Sequence, residues 1–187
     1  MMECIVLDRR LDYDGSQISS LWAYNLADVQ ADSIIAFRGA CDVITEHMID
    51  LEDKKQGDMI FSTDMLHFVI EHFDSTDLKL VYARQRLFTS IVRELLSGRH
   101  SGITRNGDDL FIGTKKLTIS IASTSAVSQK IHFGINVVHN YYGSLEDIGI
   151  SGNEVATVLR EIAEAYVREF DDIEKDLRKS RPLDVIR

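Results

Sequence analysis

The chain has 187 residues, which suits one domain and suffices to bury a sizeable core. Its 21 Lys and Arg stand against 30 Asp and Glu, a net charge of −9 that argues against a phosphate-tracking nucleic-acid surface as the main function. No apolar run approaches the ~18 residues of a membrane span, and the charged start around Ile5-Val6-Leu7 is unlike a signal peptide, so a cytoplasmic protein with neither a membrane nor a nucleic-acid partner is expected.

Cys4 to Leu7 and Ile34 to Phe37 read as short buried strands. Between them Asp14-Gly15-Ser16 forms a turn, and Ile18 to Ala27 fits either helix or strand. Val43 to Leu51 can hold a further strand before the polar turn Asp53-Lys54-Lys55-Gln56-Gly57. Ser62 or Thr63 can cap a helix from Asp64 to about Phe73, with Leu66, Val69, Ile70 and Phe73 at helical spacing. A second helix, roughly Arg84 to Leu96, carries Leu87, Phe88, Ile91, Val92 and Leu95 on one side and stops at Ser97-Gly98.

The last helix is the most regular. Ser151 and Glu154 make a capping-box pattern, and Val155, Val158, Leu159, Ile162, Tyr166, Phe170, Ile173 and Leu177 repeat at three and four residues, which predicts a helix from about Asn153 to near Lys179. Its apolar stripe is expected to dock on the sheet, with a homodimer contact as the second reading. The one proline, Pro182, lies beyond it, so no proline-rich linker divides the chain and a single domain over 1–187 is expected. Cys4 and Cys41 lack the spacing of a metal knuckle or redox pair and read as reduced, buried thiols.

Three strands carry the residues with chemistry. Leu110-Phe111-Ile112 and Leu117 to Ile121 flank Gly113-Thr114-Lys115-Lys116, a hairpin with glycine where the turn needs freedom, and Ile131 to Val138 is expected to pair with them. Side chains alternate across a strand. If Leu117, Ile119 and Ile121 face the core together with Ile131, Phe133, Ile135 and Val137, then Lys116, Thr118, Ser120, His132 and Asn136 share a polar face, with Gly134 leaving room for a close approach. Such a face is either the solvent side of an antiparallel sheet or the floor of a ligand pocket.

Asp108 and Asp109 precede the hairpin. Beside a lysine, paired acids can hold a divalent cation on a nucleotide's phosphates, and they serve equally well as turn residues. Arg84 and Arg86 at a helix start, and Arg38 before Gly39 at a strand end, are candidate partners for phosphate or carboxylate, or plain surface residues. His67 and Glu71 lie four apart on the expected helix, as a metal-hydrolase pair would, although His72 is then turned about 100° away. A plain His–Glu helix pair is the competing reading. Trp22, Tyr24, Tyr141 and Tyr142 are read as packing residues, not as a stacking platform.

With these residues in hand, the stretch from about 84 to 138 resembles the biotin and lipoate protein ligases. Asp109-Leu110-Phe111-Ile112 aligns with their Asn-Asp-Leu-Leu-Val strand, Lys116 falls on the lysine of their Gly-Arg-Lys or Gly-Lys-Lys turn, and Gly134-Ile135-Asn136-Val137 matches the Gly-Ile-Asn-Val of the biotin enzymes. Over nearly its whole length the chain also resembles a chiefly archaeal family of domains of unknown function, whose fold is grouped with these ligases and with class II aminoacyl-tRNA synthetases.

The resemblance implies an α+β fold, a largely antiparallel sheet with helices on one face. It implies that Lys116 contacts the carboxylate and α-phosphate of an acyl-adenylate, that Asp109 sits at the nucleotide or magnesium end, and that ATP and magnesium are the cofactors. Arg38, Arg84 and Arg86 would then be phosphate partners and a small carboxylic acid the ligand. The ligases' Arg- and Gly-rich phosphate loop has no counterpart beyond Phe37-Arg38-Gly39, Ile119 replaces the glycine after the turn lysine, and Asp108 stands in place of Asn. A non-catalytic, ligase-like module binding a small carboxylate or a protein partner is the alternative, and a metal hydrolase built on His67 and Glu71 the minor one.

Overall fold

A computed structural model describes residues 1–57 and 59–183. In chain order the elements are β1 (Glu3–Val6), α1 (Trp22–Ala27), β2 (Ser33–Val43), α2 (Leu51–Gln56), β3 (Ile60–His72), α3 (Leu78–Ser97), β4 (Ile103–Asn106), β5 (Asp109–Ile112), β6 (Lys115–Lys116), β7 (Thr118–Thr124), β8 (Gln129–Asn136) and α4 (Glu154–Lys179). The main sheet has the order β1-β2-β3-β8-β7, with β1 parallel to β2 and every other neighbouring pair antiparallel. A small second sheet, β4-β5-β6, stands beside it.

The largest departure from expectation is β3, expected as a helix over 64–73. Leu66, Phe68 and Ile70 point to one face of the sheet and Met65 and Val69 to the other, and all five are buried. A strand covered on both faces has no polar side, so its unbroken apolar run mimics helical spacing. The expected strand over 43–51 is also absent: β2 runs on to Val43, and a 3₁₀ turn over Thr45–His47 and the short α2 follow. Asp50 caps α2, accepting from the backbone N–H of Glu52 and Asp53.

The two long helices follow the periodic pattern. Helix α3 starts at Leu78 under an Asp77 cap, earlier than expected, so Arg84 lies well inside it and not at its N-terminus; it ends at Ser97 before Gly98, as read. Helix α4 spans Glu154–Lys179, but Asn153 sits at its cap without a side-chain bond and Glu154 N–H goes to the Ser151 backbone carbonyl, so no capping box forms.

Both helices cover one face of the sheet. Their Val81, Phe88, Val92, Val158, Ile162 and Tyr166 pack on Ile34, Phe68, Ile131 and Phe133, and Phe88 stands edge-on to Phe68, Phe133 and Tyr166. The opposite face carries a smaller core of Tyr13, Ala23, Ile35, Phe37, Cys41, Met65 and Val69, supplied by the N-terminal segment and α1. The small sheet contributes two hairpins. Ile112 pairs with Lys115 around the two-residue turn Gly113-Thr114, and Gly113 takes the left-handed φ of +58° that a tight hairpin turn demands.

Candidate functional site

On the second face, below the 3₁₀ turn and α2, the sheet is only partly covered. There it forms the floor of a cavity of about 380 Å³, lined by Lys116, Ile119, Ile121, His132 and Asn136 from the β6–β8 region, by Tyr13, Cys41, Val43 and Met65, and by Met48, Ile49, Asp50, Asp53, Ile60 and Phe61 on its outer wall.

The expected polar face is built differently. Antiparallel partners share a face, and β7 pairs with β8 as Thr118↔Ile135, Ile119↔Gly134, Ser120↔Phe133 and Ile121↔His132. Ile119 and Ile121 therefore stand with His132 and Gly134 on the cavity side, whereas Thr118 and Ser120 share the helix side with Ile135 and Phe133. This corrects the reading that put Ile119 and Ile121 in the core. The hydroxyls do structural work instead: Thr118 Oγ1 accepts from Leu110 N–H at 2.9 Å, and Ser120 Oγ accepts from the Gln85 amide at 2.8 Å and donates to the His132 carbonyl at 3.0 Å. The cavity floor thus carries Ile119 and Ile121 where the two hydroxyls were expected, beside His132 and Asn136, and Leu117, buried just before the strand, belongs to the helix-side core.

Gly134 does leave room for a close approach, though to protein: a Cβ there would lie 2.7 Å from Met65 Cε and 3.0 Å from Ile119 Cγ1. Asn136 Nδ2 donates to the Gly143 carbonyl at 3.1 Å, which ties the following loop to the cavity's edge.

Lys116, opposite Phe111 in the β5–β6 hairpin, pairs its ammonium with Asp109 Oδ2 at 2.9 Å, both groups partly exposed. Burial pushes the Asp109 carboxyl above its ordinary range, against the pull of Lys116. Asp108 is held by Arg86 at 2.6 Å and by the Gln85 amide at 2.8 Å. Arg84 leaves the site altogether: it is buried on the helix side, forked onto Asp74, bonded to Gln129 and stacked 5.1 Å over the Phe170 ring. Arg38 forks onto Asp64, which Arg10 also binds; burial pushes the Asp64 carboxyl up, but the two guanidinium groups outweigh it and hold it below the usual range. Of the ten candidate ligand residues and Lys116, the structure brings Lys116, His132 and Asn136 together at the cavity, with Asp109 one ion pair away; Thr118 and Ser120 border it, but their hydroxyls are bonded to Leu110 and Gln85 on the other side of the sheet.

The metal-hydrolase set is taken apart. On a strand, residues four apart still share a face, so His67 and Glu71 both look away from α3 and α4, while His72 looks toward them. Glu71 is fully engaged in a buried cluster with Lys130 Nζ at 3.1 Å, Ser128 Oγ at 2.7 Å and Leu21 N–H at 2.9 Å. His67 Nδ1 meets His132 Nε2 at 3.1 Å. His72 bonds Asp32 at 3.2 Å and Tyr166 at 2.9 Å. Among the described residues the three-residue cluster of metal-type donors is Asp32, His72 and Asp74, and Arg84 already supplies the cation that Asp74 needs.

Tyr13 and Cys41 escaped the sequence reading as site residues. Tyr13 lies flat on His132, ring centroids 3.6 Å apart at 6°, and burial pushes the Cys41 thiol up to about 12, which keeps it protonated and unreactive. Nothing local in Leu11-Asp12-Tyr13-Asp14 signals this role; it arises because Leu11 and Tyr13 lie along β2, with Leu11 N–H to the Arg38 carbonyl and Tyr13 N–H to that of Ala40. Among the described residues no helix is long and apolar enough to cross a membrane.

The comparisons with known proteins agree with this architecture. A solved protein of unknown function from Pyrococcus horikoshi superposes with a TM-score of 0.90 at 37% identity, covering 98% of this chain and all of that one. An uncharacterised protein from Methanocaldococcus jannaschii is 46% identical across 97% of this chain and 86% of its own length. Biotin protein ligase from Aquifex aeolicus matches with a TM-score of 0.60 at 13% identity, over 94% of this chain and 72% of the ligase. The fold is thus shared with the biotin and lipoate protein ligases. The model of the family described as a domain of unknown function, DUF366, matches residues 2–181, and the chain belongs to that family.

Proposed function

We propose that the cavity binds a small carboxylic acid, with the carboxylate at Lys116 and the apolar body lying along Ile119, Ile121, Val43 and Ile60. The observation that carries this reading is a charge placed beside the isoleucine-lined part of the cavity: Lys116 is the one lysine or arginine among the described residues lining it. Its ammonium has three donors and spends one on Asp109. A solvated pair of this kind holds its partners by only about 0–1 kcal/mol, so an incoming carboxylate can share or displace Asp109 at low cost.

ATP and magnesium fit less well. Arg38, Arg84 and Arg86 are each clamped by a carboxylate, and Asp108 is held in turn by Arg86 and Gln85. That supports a ligase-like binding module over a ligase, and no adenylation step is assigned to these residues. The second reading, an adenylate-forming ligase or acyltransferase, is favoured by the resemblance of the Lys116 turn to the lysine turn of those ligases.

A thermal-shift series with biotin, lipoate and octanoate, each with and without ATP and magnesium, tests both. Binding is expected to raise the melting temperature with the acid alone, by about 2.7 kcal/mol of added stability at 100 times the dissociation constant. Pyrophosphate release that needs acid and ATP together would establish the ligase reading instead. No shift with any acid would sink the carboxylate proposal.

A further inference from the structure

A second cavity, of about 490 Å³, opens at the end of the β7–β8 pair remote from Lys116. Its walls are the loop that carries Ser19 and Ser20, the end of β7 with Ser123 and Thr124, and His47 from the 3₁₀ turn; buried Lys130 forms the floor. Antiparallel partners share a face, and Lys130 pairs with Ser123 on one side and Glu71 on the other, so all three stand on the same side of the sheet as His132.

Glu71 assembles this recess from behind. Its Oε1 accepts from Ser128 Oγ at 2.7 Å, which fixes the turn after β7, and from Leu21 N–H at 2.9 Å, which fixes the loop wall; its Oε2 holds Lys130 Nζ at 3.1 Å. Leu21 keeps a left-handed φ of +60° there, a conformation rare for leucine. One carboxylate thus ties both walls and the lysine together, yet Glu71 itself does not line the cavity, so the positive end of the ion pair faces the space. Lys130 is 2% exposed, and of its three donors one is spent, on Glu71. A buried ammonium with open N–H groups lacks the acceptors that water would supply. Around it the hydroxyls of Ser19, Ser20, Ser123 and Thr124 make no hydrogen bond among the described residues. Among those residues no carboxylate lines the cavity, and Asp14 is spent on Ser16.

We propose that this second cavity is a site for a phosphate-type oxyanion, seated on Lys130 and ringed by the four hydroxyls. A lysine serves as a point charge for a tetrahedral anion, whereas a planar carboxylate favours an arginine fork, which the cavity lacks. Hydroxyls on two facing walls can donate to several oxygens of one such group. The volume admits a phosphate that carries a small organic body, so the two sources are free phosphate and a phosphorylated small molecule. The site shares His47 and Ile49 with the first cavity but not Lys116, Ile119 or Ile121, and it does not rest on the carboxylate reading.

Calorimetric titration with inorganic phosphate, ribose 5-phosphate and ribose at constant ionic strength is the test. Both phosphates are expected to bind and ribose not to. Tighter binding of ribose 5-phosphate identifies a phosphorylated small molecule as the ligand, and equal affinities identify free phosphate. Ribose binding as tightly as ribose 5-phosphate, or no saturable heat from any of the three, overturns the proposal. Thr124→Val removes a hydroxyl and leaves the ion pair in place; it should weaken phosphate about tenfold. Lys116→Ala should leave phosphate affinity unchanged, and its loss there would put the anion in the first cavity and overturn the second site. Lys130→Met should abolish binding; if that variant fails to fold, the double change Glu71→Met with Lys130→Met takes its place, and retained binding in either overturns the role of Lys130. Glu71→Gln frees Lys130 from its counter-charge and should raise phosphate affinity at least about tenfold. An ion pair that serves the fold alone predicts no such rise, so an unchanged affinity in a folded Glu71→Gln variant also overturns the proposal.

Discussion

The two faces of the main sheet bury histidines in opposite ways. On the helix side both nitrogens of His72 are filled, by Asp32 and by Tyr166, with Arg84 closing the network through Asp74 and Gln129. On the cavity side His67 and His132 meet across the strands, and Nε2 of His67 is left buried without a partner. The first arrangement is complete and holds α4 to the sheet. The second is incomplete, and incompleteness beside a cavity is what a ligand can use. Buried polar residues therefore do not mark function by being buried; they mark it where their valences remain open.

The contrast can be broken most severely by removing a partner from a closed unit. Phe88→Ala on the helix side should cost about 3–5 kcal/mol, read by chemical denaturation, because Phe88 touches both helices and the sheet. Glu71→Gln should cost a similar ~3–5 kcal/mol by leaving Lys130 buried without a counter-charge. The double change Glu71→Met with Lys130→Met should recover most of that loss, and no recovery would show that the cluster is held by more than its ion pair.

Acid should expose the neutral histidines. The folded-state value of His67 is depressed from 6.5 to about 4 by burial, so its contribution is fully present above pH 6.5 and is lost as the pH falls from 6.5 toward 4. Denaturation midpoints between pH 7.5 and 4.5 should decline in that window, and His67→Phe should flatten the decline; an unchanged slope would place the acid sensitivity elsewhere. Tyr166→Phe removes a single bond to His72 and should cost about 1–2 kcal/mol.

The smallest effect on stability should come from the site itself. Lys116→Ala removes a partly exposed ion pair and should change stability by less than about 1 kcal/mol, while abolishing stabilisation by carboxylic acids. Retained acid binding in that variant would remove Lys116 from the site.

Much of the helix side was legible in the chain, because α3 and α4 each present one apolar stripe and the stripe needs only a surface to cover. The hairpin around Gly113 was legible for a local reason, a turn that demands a left-handed residue. What misled was burial on both faces: β3 has no wet side, so its period vanished, and β7 has isoleucines facing a cavity that looks, in sequence, like a core. The arginines misled in another way, since their partners Asp64, Asp74 and Asp108 lie 26, 10 and 22 residues away and only strand register and helix packing bring them into reach.

The amino-acid sequence by itself determined the α+β character, the two long helices, the tight turn and the presence of Lys116 at its end, all of which follow from interactions within a few residues. The tertiary structure decided which face each strand shows, which charges are already spent on one another, and that His67 stands behind His132. Those depend on pairing across strands, where a shift of one residue exchanges the inside for the outside.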